Sequence, residues 1–207
     1  ECDEEGETLT DLDPCEEDPA KRNALPEDSL QHAIRSKPAP LYKDAFASRI
    51  ETGNFEDHLS QIANCDWILE AIIEDLDIKQ DLFERVEEYR TAGTLVSTNT
   101  SGIPIHQIAE GRSEDFKKHF LGTHFFNPPR YLRLLEIIPT EDTDEKILDF
   151  FLHFGERYLG KETLRCKDTP AFIGKRIGVF AMAKIFRLTE ELELPISVVD
   201  KLTGPAL

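Results

Sequence analysis

The sequence predicts an α/β fold in which a partial, mainly parallel sheet is covered by helices and is followed by the start of an all-helical C-terminal domain. Short apolar or β-branched segments alternate with longer amphipathic segments as far as residue 165, and this alternation is typical of parallel strands joined by helices. After Asp168-Thr169-Pro170 one long helical pattern follows, with no strand behind it. We therefore expect a sheet domain over residues 25–167 and the beginning of a helical domain over residues 168–207.

Composition and charge narrow the classes of protein to which the chain can belong. With 207 residues, 40% of them hydrophobic, the chain can fill a core, and no apolar stretch is long enough for a membrane span. The net charge of −17 argues against nucleic-acid binding. Residues 1–20 hold ten acidic residues and no Lys or Arg, so we expect residues 1–24 to form an acidic loop or disordered segment.

The first half of the chain contains five predicted elements. Pro26 and an acidic first turn indicate a helix that ends before Pro38. Ser48–Glu51 resembles a short strand, and Phe55–Ala63 one or two helical turns. Cys65–Ile73 is a nearly continuous apolar run, which favours a strand buried on both faces. Leu76–Arg90 has apolar residues at three- and four-residue steps and is predicted to be an amphipathic helix.

The second half continues the alternation and then changes character. Its apolar and β-branched segments predict four further strands, at Thr94–Ser97, Phe120–Phe126, Leu132–Ile138 and Glu162–Arg165. Periodic segments predict two helices, at Asp144–Leu159 and Ala171–Leu194. The breaker Asn127-Pro128-Pro129 separates two of these strands.

The cysteines and glycines match no common cofactor or metal motif. Cys2, Cys15, Cys65 and Cys166 form no C-x-x-C pair, so neither a zinc site nor a redox motif is indicated, and reduced thiols in a cytoplasmic protein are expected. No histidine pair fits H-E-x-x-H, and no glycine completes G-x-G-x-x-G or a P-loop. We therefore predict no metal site.

Three polar features follow or interrupt predicted strands, where a parallel sheet binds its ligands. The segment Thr98–Gly102 follows a strand and, taken alone, resembles a turn with a helix cap. His124 ends a strand, and Glu136 is the one carboxylate in an apolar strand, where it needs a partner. If the two strands are neighbours, Glu136 can orient His124 as a general base, although a purely structural hydrogen bond fits the sequence equally well. Ser101 could then be a nucleophile or a hydrogen-bond donor to substrate.

Four segments, in this order and spacing, resemble the 3-hydroxyacyl-CoA dehydrogenase family: WILEAIIEDLDIKQDLF, STNTSG, GTHFFNPPRYLRLLEIIP and KDTPAFIGKR. The resemblance covers roughly residues 25–207 and is nearest to the large bacterial-type members of fatty-acid β-oxidation. It implies a partial, doubly wound, Rossmann-like NAD-binding domain. It also implies that residues 1–24 belong to an insertion, and that the family's glycine-rich fingerprint lies upstream of this chain.

The resemblance also implies an activity, which is the oxidation of L-3-hydroxyacyl-CoA with NAD as cofactor. It assigns His124 as general base, Glu136 as its paired carboxylate and Ser101 as a donor to the substrate oxygen. The nicotinamide-side contacts of the family fall on Glu74, Lys79, Ser101 and Asn127. It implies an acyl-CoA substrate and a homodimer formed through the helical domain. Because the hydride passes from substrate to cofactor, no protein nucleophile is needed.

The sequence departs from the family pattern at two positions near residue 170. Where relatives have Asp-Thr-x-Gly-Phe-Ile-x-Asn-Arg, this chain has Ala171 for the glycine and Lys175 for the asparagine of the catalytic cluster. Lys175 either points inward and alters the base or extends to solvent as a tolerated variant. Two alternatives stay open. A related NAD-dependent hydroxy-acid dehydrogenase is one, because the same base and sheet serve other substrates, and an inactive fragment or pseudoenzyme is the other, because the glycine-rich fingerprint is absent and Lys175 replaces the asparagine.

Overall fold

The computed structural model describes residues 19–204, and its first element is helix α1 (Pro19–Arg35). This helix begins before Pro26, so the predicted start was wrong, and the part of the predicted acidic loop from Pro19 to residue 24 is helical. Pro26 lies inside the helix, where its fixed φ is compatible with helical backbone but its missing N–H removes one hydrogen bond. The rest of the acidic segment lies outside the described residues.

Two 3₁₀ helices, Asp44–Arg49 and Leu59–Asn64, lead into the sheet. The second overlaps the predicted helical turns, whereas the strand predicted at Ser48–Glu51 is wrong because the first 3₁₀ helix occupies its start. Ile50 is extended but exposed, and no strand pairs with it in the described part of the chain. β propensity alone does not make a strand where no neighbouring backbone is available for hydrogen bonding.

A five-stranded sheet with the spatial order β1-β2-β3-β4-β5 forms the centre of the molecule. Its strands are β1 (Trp67–Glu70), β2 (Leu95–Thr98), β3 (Phe120–Phe125), β4 (Leu134–Pro139) and β5 (Glu162–Arg165). The pairs β1–β2, β2–β3 and β4–β5 are parallel, and only β3–β4 is antiparallel. The prediction of a mainly parallel α/β sheet is therefore confirmed. The antiparallel pair follows from a link of eight residues, 126–133, which is too short for a parallel crossover.

The first strand differs from its prediction in length and burial. The apolar run Cys65–Ile73 contributes only the four residues of β1, and Leu69 is 41% exposed. The side chains of β1 are therefore not buried on both faces, and among residues 19–204 it is an edge strand of the sheet.

Within residues 19–204, the helices that follow β1 are α2 (Leu76–Tyr89), α3 (Ile105–Ile108), α4 (Glu114–Lys118), α5 (Glu145–Arg157), α6 (Gly174–Glu191) and α7 (Ile196–Thr203). Three of them were predicted, with shifts at their ends, and the three shorter ones, α3, α4 and α7, were not. Asp75 and Asp144 cap α2 and α5 by accepting a hydrogen bond from a backbone N–H of the first turn. The helix predicted over Ala171–Leu194 is shorter at both ends, because Ala171 and Phe172 have positive φ and Glu193 leaves the helical region.

Two apolar clusters cover the two faces of the sheet. On one face, the rings of Phe83, Phe116 and Phe120 lie with centroids between 5.1 and 5.5 Å apart. On the other, Leu121 of β3 and Phe151 of α5 belong to a second cluster. Adjacent residues Phe120 and Leu121 point to opposite faces, and burying each such side chain contributes about 1.5–3 kcal/mol. Together the two clusters fix the strand ends that carry the site.

Beyond Asp168 the described residues contain α6 and α7 and no strand. The division into domains at this point remains a prediction. Within residues 19–204, no helix combines the length and the apolar character that crossing a membrane requires.

Candidate active site

The carboxyl ends of β1, β2 and β3 meet at one edge of the sheet, because these strands are parallel. Glu74 follows β1, Ser101 follows β2, and His124 is the penultimate residue of β3. This edge is where a sheet of this type presents its ligand-binding residues.

His124 and Glu136 form a buried pair across the antiparallel strands β3 and β4. The register places them opposite each other, and His124 Nδ1 lies 2.7 Å from Glu136 Oε2. His124 is 5% exposed and Glu136 is 0% exposed. The two strands are neighbours, as the sequence hypothesis required. Because Nδ1 is held by a carboxylate, Nε2 is the ring atom left for other partners.

The second nitrogen of His124 faces the turn after β2. Ser101 Oγ lies 3.2 Å from His124 Nε2. A hydroxyl in this position contacts the same ring atom that would take a proton from a ligand. The three residues Glu136, His124 and Ser101 therefore form a continuous chain of hydrogen bonds, and either the hydroxyl or a ligand atom can occupy the Nε2 position.

Glu136 also connects the sheet to the start of α6. Its Oε1 accepts hydrogen bonds from the backbone N–H groups of Ile173 (3.0 Å) and Gly174 (2.7 Å). Burial alone would raise the pKa of Glu136, but the hydrogen bonds from His124, Gly174 and Ile173 outweigh burial and hold it below its ordinary value. The carboxylate therefore stays charged near neutral pH, in the form that accepts hydrogen bonds with both oxygens.

Aromatic rings enclose the imidazole on two sides. The ring centroids of Phe126 and Phe172 lie 4.6 and 5.6 Å from that of His124. Gly174 packs against Phe126 so closely that a Cβ there would lie 2.8 Å from the ring, so only glycine fits without a shift. These contacts restrict the rotation of His124, which a positioned base needs.

Glu74 holds the turn that carries Ser101. Its Oε1 accepts hydrogen bonds from Thr100 Oγ1 (2.7 Å), Ser101 N (2.9 Å) and Gly102 N (3.0 Å). Partial burial would raise the pKa of Glu74, but the Thr100 and backbone hydrogen bonds, together with the charge of Lys79, lower it. Its side chain is still 44% exposed, so it fixes the turn and can also contact a ligand.

Lys79 lies beneath this turn and is 1% exposed. Its Nζ lies 2.7 Å from Glu70 Oε1 and 3.7 Å from Glu74 Oε2. Glu70 Oε2 in turn accepts a hydrogen bond of 2.5 Å from Thr98 Oγ1. In this structure the ammonium is covered by protein, so Lys79 supports Glu74 and does not reach the surface of the cleft.

Asn127 and Lys175 are both exposed, in different surroundings. Asn127 is the second residue after β3 and lies at the same edge of the sheet as His124. Lys175 is on the first turn of α6, and within residues 19–204 it makes no ion pair with Glu136, whose partners are His124 and two backbone N–H groups. The structure thus brings His124, Glu136, Ser101 and Glu74 together and leaves the side chain of Lys175 at the surface.

Sequence reasoning missed several residues of this site. Glu70 interrupts the apolar run WILEAII as Glu136 interrupts LRLLEII, so the same signal could have found it. Cys166 is buried beside Glu136, and burial together with that carboxylate raises the pKa of its thiol to about 12. No local pattern indicated the contact of Phe172 with the imidazole, because it depends on the backbone path before α6.

Comparison with known protein families gives one consistent result. The family model "3-hydroxyacyl-CoA dehydrogenase, NAD binding domain" matches residues 4–169. A probable 3-hydroxyacyl-CoA dehydrogenase of Deinococcus radiodurans is 46% identical over 190 residues, which are 92% of this chain and 55% of that protein. One of Bacillus subtilis is 45% identical over 186 residues, or 90% of this chain and 24% of that protein.

Solved structures agree with the sequence comparison. The crystal structure of a 3-hydroxyacyl-CoA dehydrogenase from Archaeoglobus fulgidus superposes with a TM-score of 0.67 at 30% identity, and the match covers 85% of this chain and 57% of that one. The chain thus spans about half, or less, of the length of the curated relatives that it matches.

Proposed function

Since this chain belongs to the 3-hydroxyacyl-CoA dehydrogenase family and matches its NAD-binding domain, we propose that the protein oxidises the hydroxyl of an L-3-hydroxyacyl-CoA in fatty-acid β-oxidation. The observation that carries the proposal is the pair His124–Glu136. Its 2.7 Å contact fixes Nδ1 and leaves Nε2 facing the cleft, as a general base requires.

NAD fits the residues at this edge of the sheet. The carboxylate of Glu74, the hydroxyl of Ser101 and the amide of Asn127 are accessible donors and acceptors there, of the kind that a carboxamide ring can bind. These three residues would hold the nicotinamide side, and Lys79 would act through Glu74. When bound, NAD supplies a hydride acceptor.

The proton of the substrate hydroxyl passes to His124 Nε2. Ser101 Oγ, now 3.2 Å from that atom, donates its hydrogen bond to the substrate oxygen instead. Glu136 stabilises the imidazolium that forms, because its lowered pKa keeps it ionised. The phenyl rings of Phe126 and Phe172 exclude water from the imidazole.

The proposal extends to assembly and location. Helix α6 exposes Ile177, Phe180, Met182 and Phe186, an apolar surface of the kind that associates with another protein surface, and this supports a homodimer formed through the helical domain. Cys65 and Cys166 are free thiols, which is in keeping with a cytoplasmic protein.

The test is the activity of the natural full-length protein. We expect NADH formation from L-3-hydroxybutyryl-CoA and little from free 3-hydroxybutyrate. His124→Ala should lower kcat about 10²–10⁴-fold, the usual contribution of a positioned base, with little change in the KM for NAD. His153→Ala, an exposed histidine on α5, is the matched control and should be neutral. A loss below tenfold for His124→Ala would remove His124 from the mechanism. Faster NADH formation from free 3-hydroxybutyrate than from L-3-hydroxybutyryl-CoA would mean that the substrate is a free hydroxy acid.

A further inference from the structure

The link between β3 and β4 (residues 126–133) follows the base and contains Asn127. Within residues 19–204 the side chain of Asn127 makes no hydrogen bond in the structure, so its direction depends on the backbone of the link. Tyr131 N and Leu132 N both donate to Pro128 O, at 3.0 and 3.1 Å, which makes Pro128–Leu132 a compact turn. Whatever fixes this turn also fixes Asn127.

Lys161 fixes the turn from the side of the sheet. It lies directly before β5 and is 8% exposed. Its Nζ donates hydrogen bonds to Pro129 O and, at 2.7 Å, to Leu132 O, two carbonyls of the turn. The ring of Phe125, at the end of β3, lies 5.9 Å from the same ammonium. One side chain thus connects the last residue of the base strand, the turn and the start of β5.

The surroundings of Lys161 are unusual for a buried cation. No carboxylate in the described part of the chain pairs with it; its partners are the two carbonyls and the aromatic ring. Burial, which disfavours the charged form, lowers the pKa of Lys161. A buried ammonium without a counter-ion is unfavourable unless hydrogen bonds compensate for the lost water, and here the two carbonyls of the turn supply them.

The turn has a second anchor on its outer side. Arg130 Nη1 donates to Ala39 O (2.8 Å) and Leu41 O (2.5 Å), and Tyr131 Oη donates to Ala39 O (2.9 Å). The outer anchor joins the turn to an exposed segment. Lys161 instead joins it to the sheet that carries His124, together with the backbone hydrogen bond from Glu162 N to Arg133 O (2.8 Å) at the end of the link.

We propose that Lys161 is a positioning residue which holds Asn127 in place for the nicotinamide side of the cofactor. This inference rests on the proposed function. Displacing a contact residue by about 1 Å can lower a rate roughly a hundredfold, so we expect loss of the Lys161 hydrogen bonds to raise the KM for NAD at least about tenfold. The KM for the acyl-CoA should change less than about twofold.

The experiment compares Lys161→Met and Lys161→Gln in the full-length enzyme. Methionine keeps most of the length of the side chain without a donor, and glutamine keeps an NH2 donor group without the charge, so the KM for NAD should rise more for methionine. Lys146→Met, an exposed lysine on α5, controls for loss of a charge. Leu148→Ala, at a core residue on the buried face of α5, controls for loss of stability and should lower the active fraction without changing the KM.

Hydrogen–deuterium exchange of Tyr131 N–H and Leu132 N–H separates this inference from the proposed function, because it needs no activity. Faster exchange of both amides in a Lys161 variant, and not in Leu148→Ala, supports the anchor even if the wild type oxidises no acyl-CoA. If Lys161→Met does not fold, the exchange rates and the KM of Lys161→Gln test the proposal. A folded variant with wild-type exchange, or one with a wild-type KM for NAD in an active enzyme, overturns the proposal.

Discussion

Glu136 binds a different partner with each of its two oxygens. Oε2 contacts His124, and Oε1 accepts from Ile173 and Gly174. The first contact orients the proposed base, and the second joins β4 to α6. A carboxylate with three donors is held in one rotamer. The backbone at the start of α6 therefore helps to determine, through Glu136, how the imidazole is oriented.

Glu136→Gln should therefore lower kcat by less than His124→Ala does, because the variant loses charge and orientation but keeps the base. Steady-state kinetics of both variants with L-3-hydroxybutyryl-CoA and saturating NAD provide the comparison. Glu162→Gln, an exposed carboxyl at the start of β5, is the control and should be neutral. A larger loss for Glu136→Gln would make Glu136 the base.

Lys175→Asn should leave the pH–rate profile unchanged. The side chain of Lys175 is exposed, and within residues 19–204 it forms no ion pair with Glu136, so its charge is screened by water before it reaches His124. The measurement is kcat/KM of the full-length enzyme from acid to neutral pH. A shift of the acid limb towards higher pH in the variant would mean that Lys175 turns inward during catalysis and weakens the base.

At the scale of elements, the segment between β5 and α6 determines how the two parts of the site meet. Ala171 and Phe172 have φ values of +62° and +45°, and this backbone path places Phe172 against His124 and the start of α6 against Glu136. Residues other than glycine adopt this region at a cost of roughly 1–2 kcal/mol each. The family pattern has glycine at the position of Ala171.

Ala171→Gly should stabilise the protein by up to about 1 kcal/mol, because relief of the strain exceeds the extra freedom that glycine gives the unfolded chain. The measurement is the urea midpoint at neutral pH. The control is Ala183→Gly within α6, which should destabilise by about 0.5–1 kcal/mol because its backbone is helical. Equal destabilisation by both substitutions would show that position 171 carries no strain.

At the scale of the whole molecule, carboxylates stabilised by hydrogen bonds make the fold sensitive to acid. Folding lowers the pKa of both Glu136 and Glu74 from the ordinary value of 4.5. A group with a lowered pKa in the folded state contributes stability that is complete above the unfolded value and is lost as the pH falls through the folded value. Glu136 connects β4 with β3 and with the start of α6, and Glu74 holds the turn after β2. Acid should therefore loosen the site itself.

We expect Glu136→Gln to be less stable than the wild type at pH 7, by about 1–3 kcal/mol for the lost charged hydrogen bonds. This difference should shrink as the pH falls below 4.5, where the wild-type carboxyl becomes protonated as well. Urea midpoints at several pH values between neutral and acid test the expectation. Glu162→Gln, which removes a surface ion pair, should show no such convergence. A difference that is independent of pH would mean that the charge of Glu136 does not stabilise the fold.

The sequence by itself determined the strands β2 to β5, the helices α2 and α5, the pairing of His124 with Glu136 as a hypothesis, and the family. These features depend on local periodicity, on the polar residue that interrupts an apolar strand, and on motif spacing. The predicted ends of α1 and α6 were wrong. Pro26 lies inside α1 and does not begin it, and the positive φ values that shorten α6 occur at residues other than glycine, which no local pattern indicates.

Only the tertiary structure decided which atoms meet. It set β4 antiparallel to β3, so that His124 and Glu136 are 2.7 Å apart, buried Lys79 beneath Glu74, and directed Lys175 to solvent. The physical reason is that such contacts join residues that are distant in the chain. Their geometry follows from strand register and helix packing, which depend on the whole core and not on any local pattern.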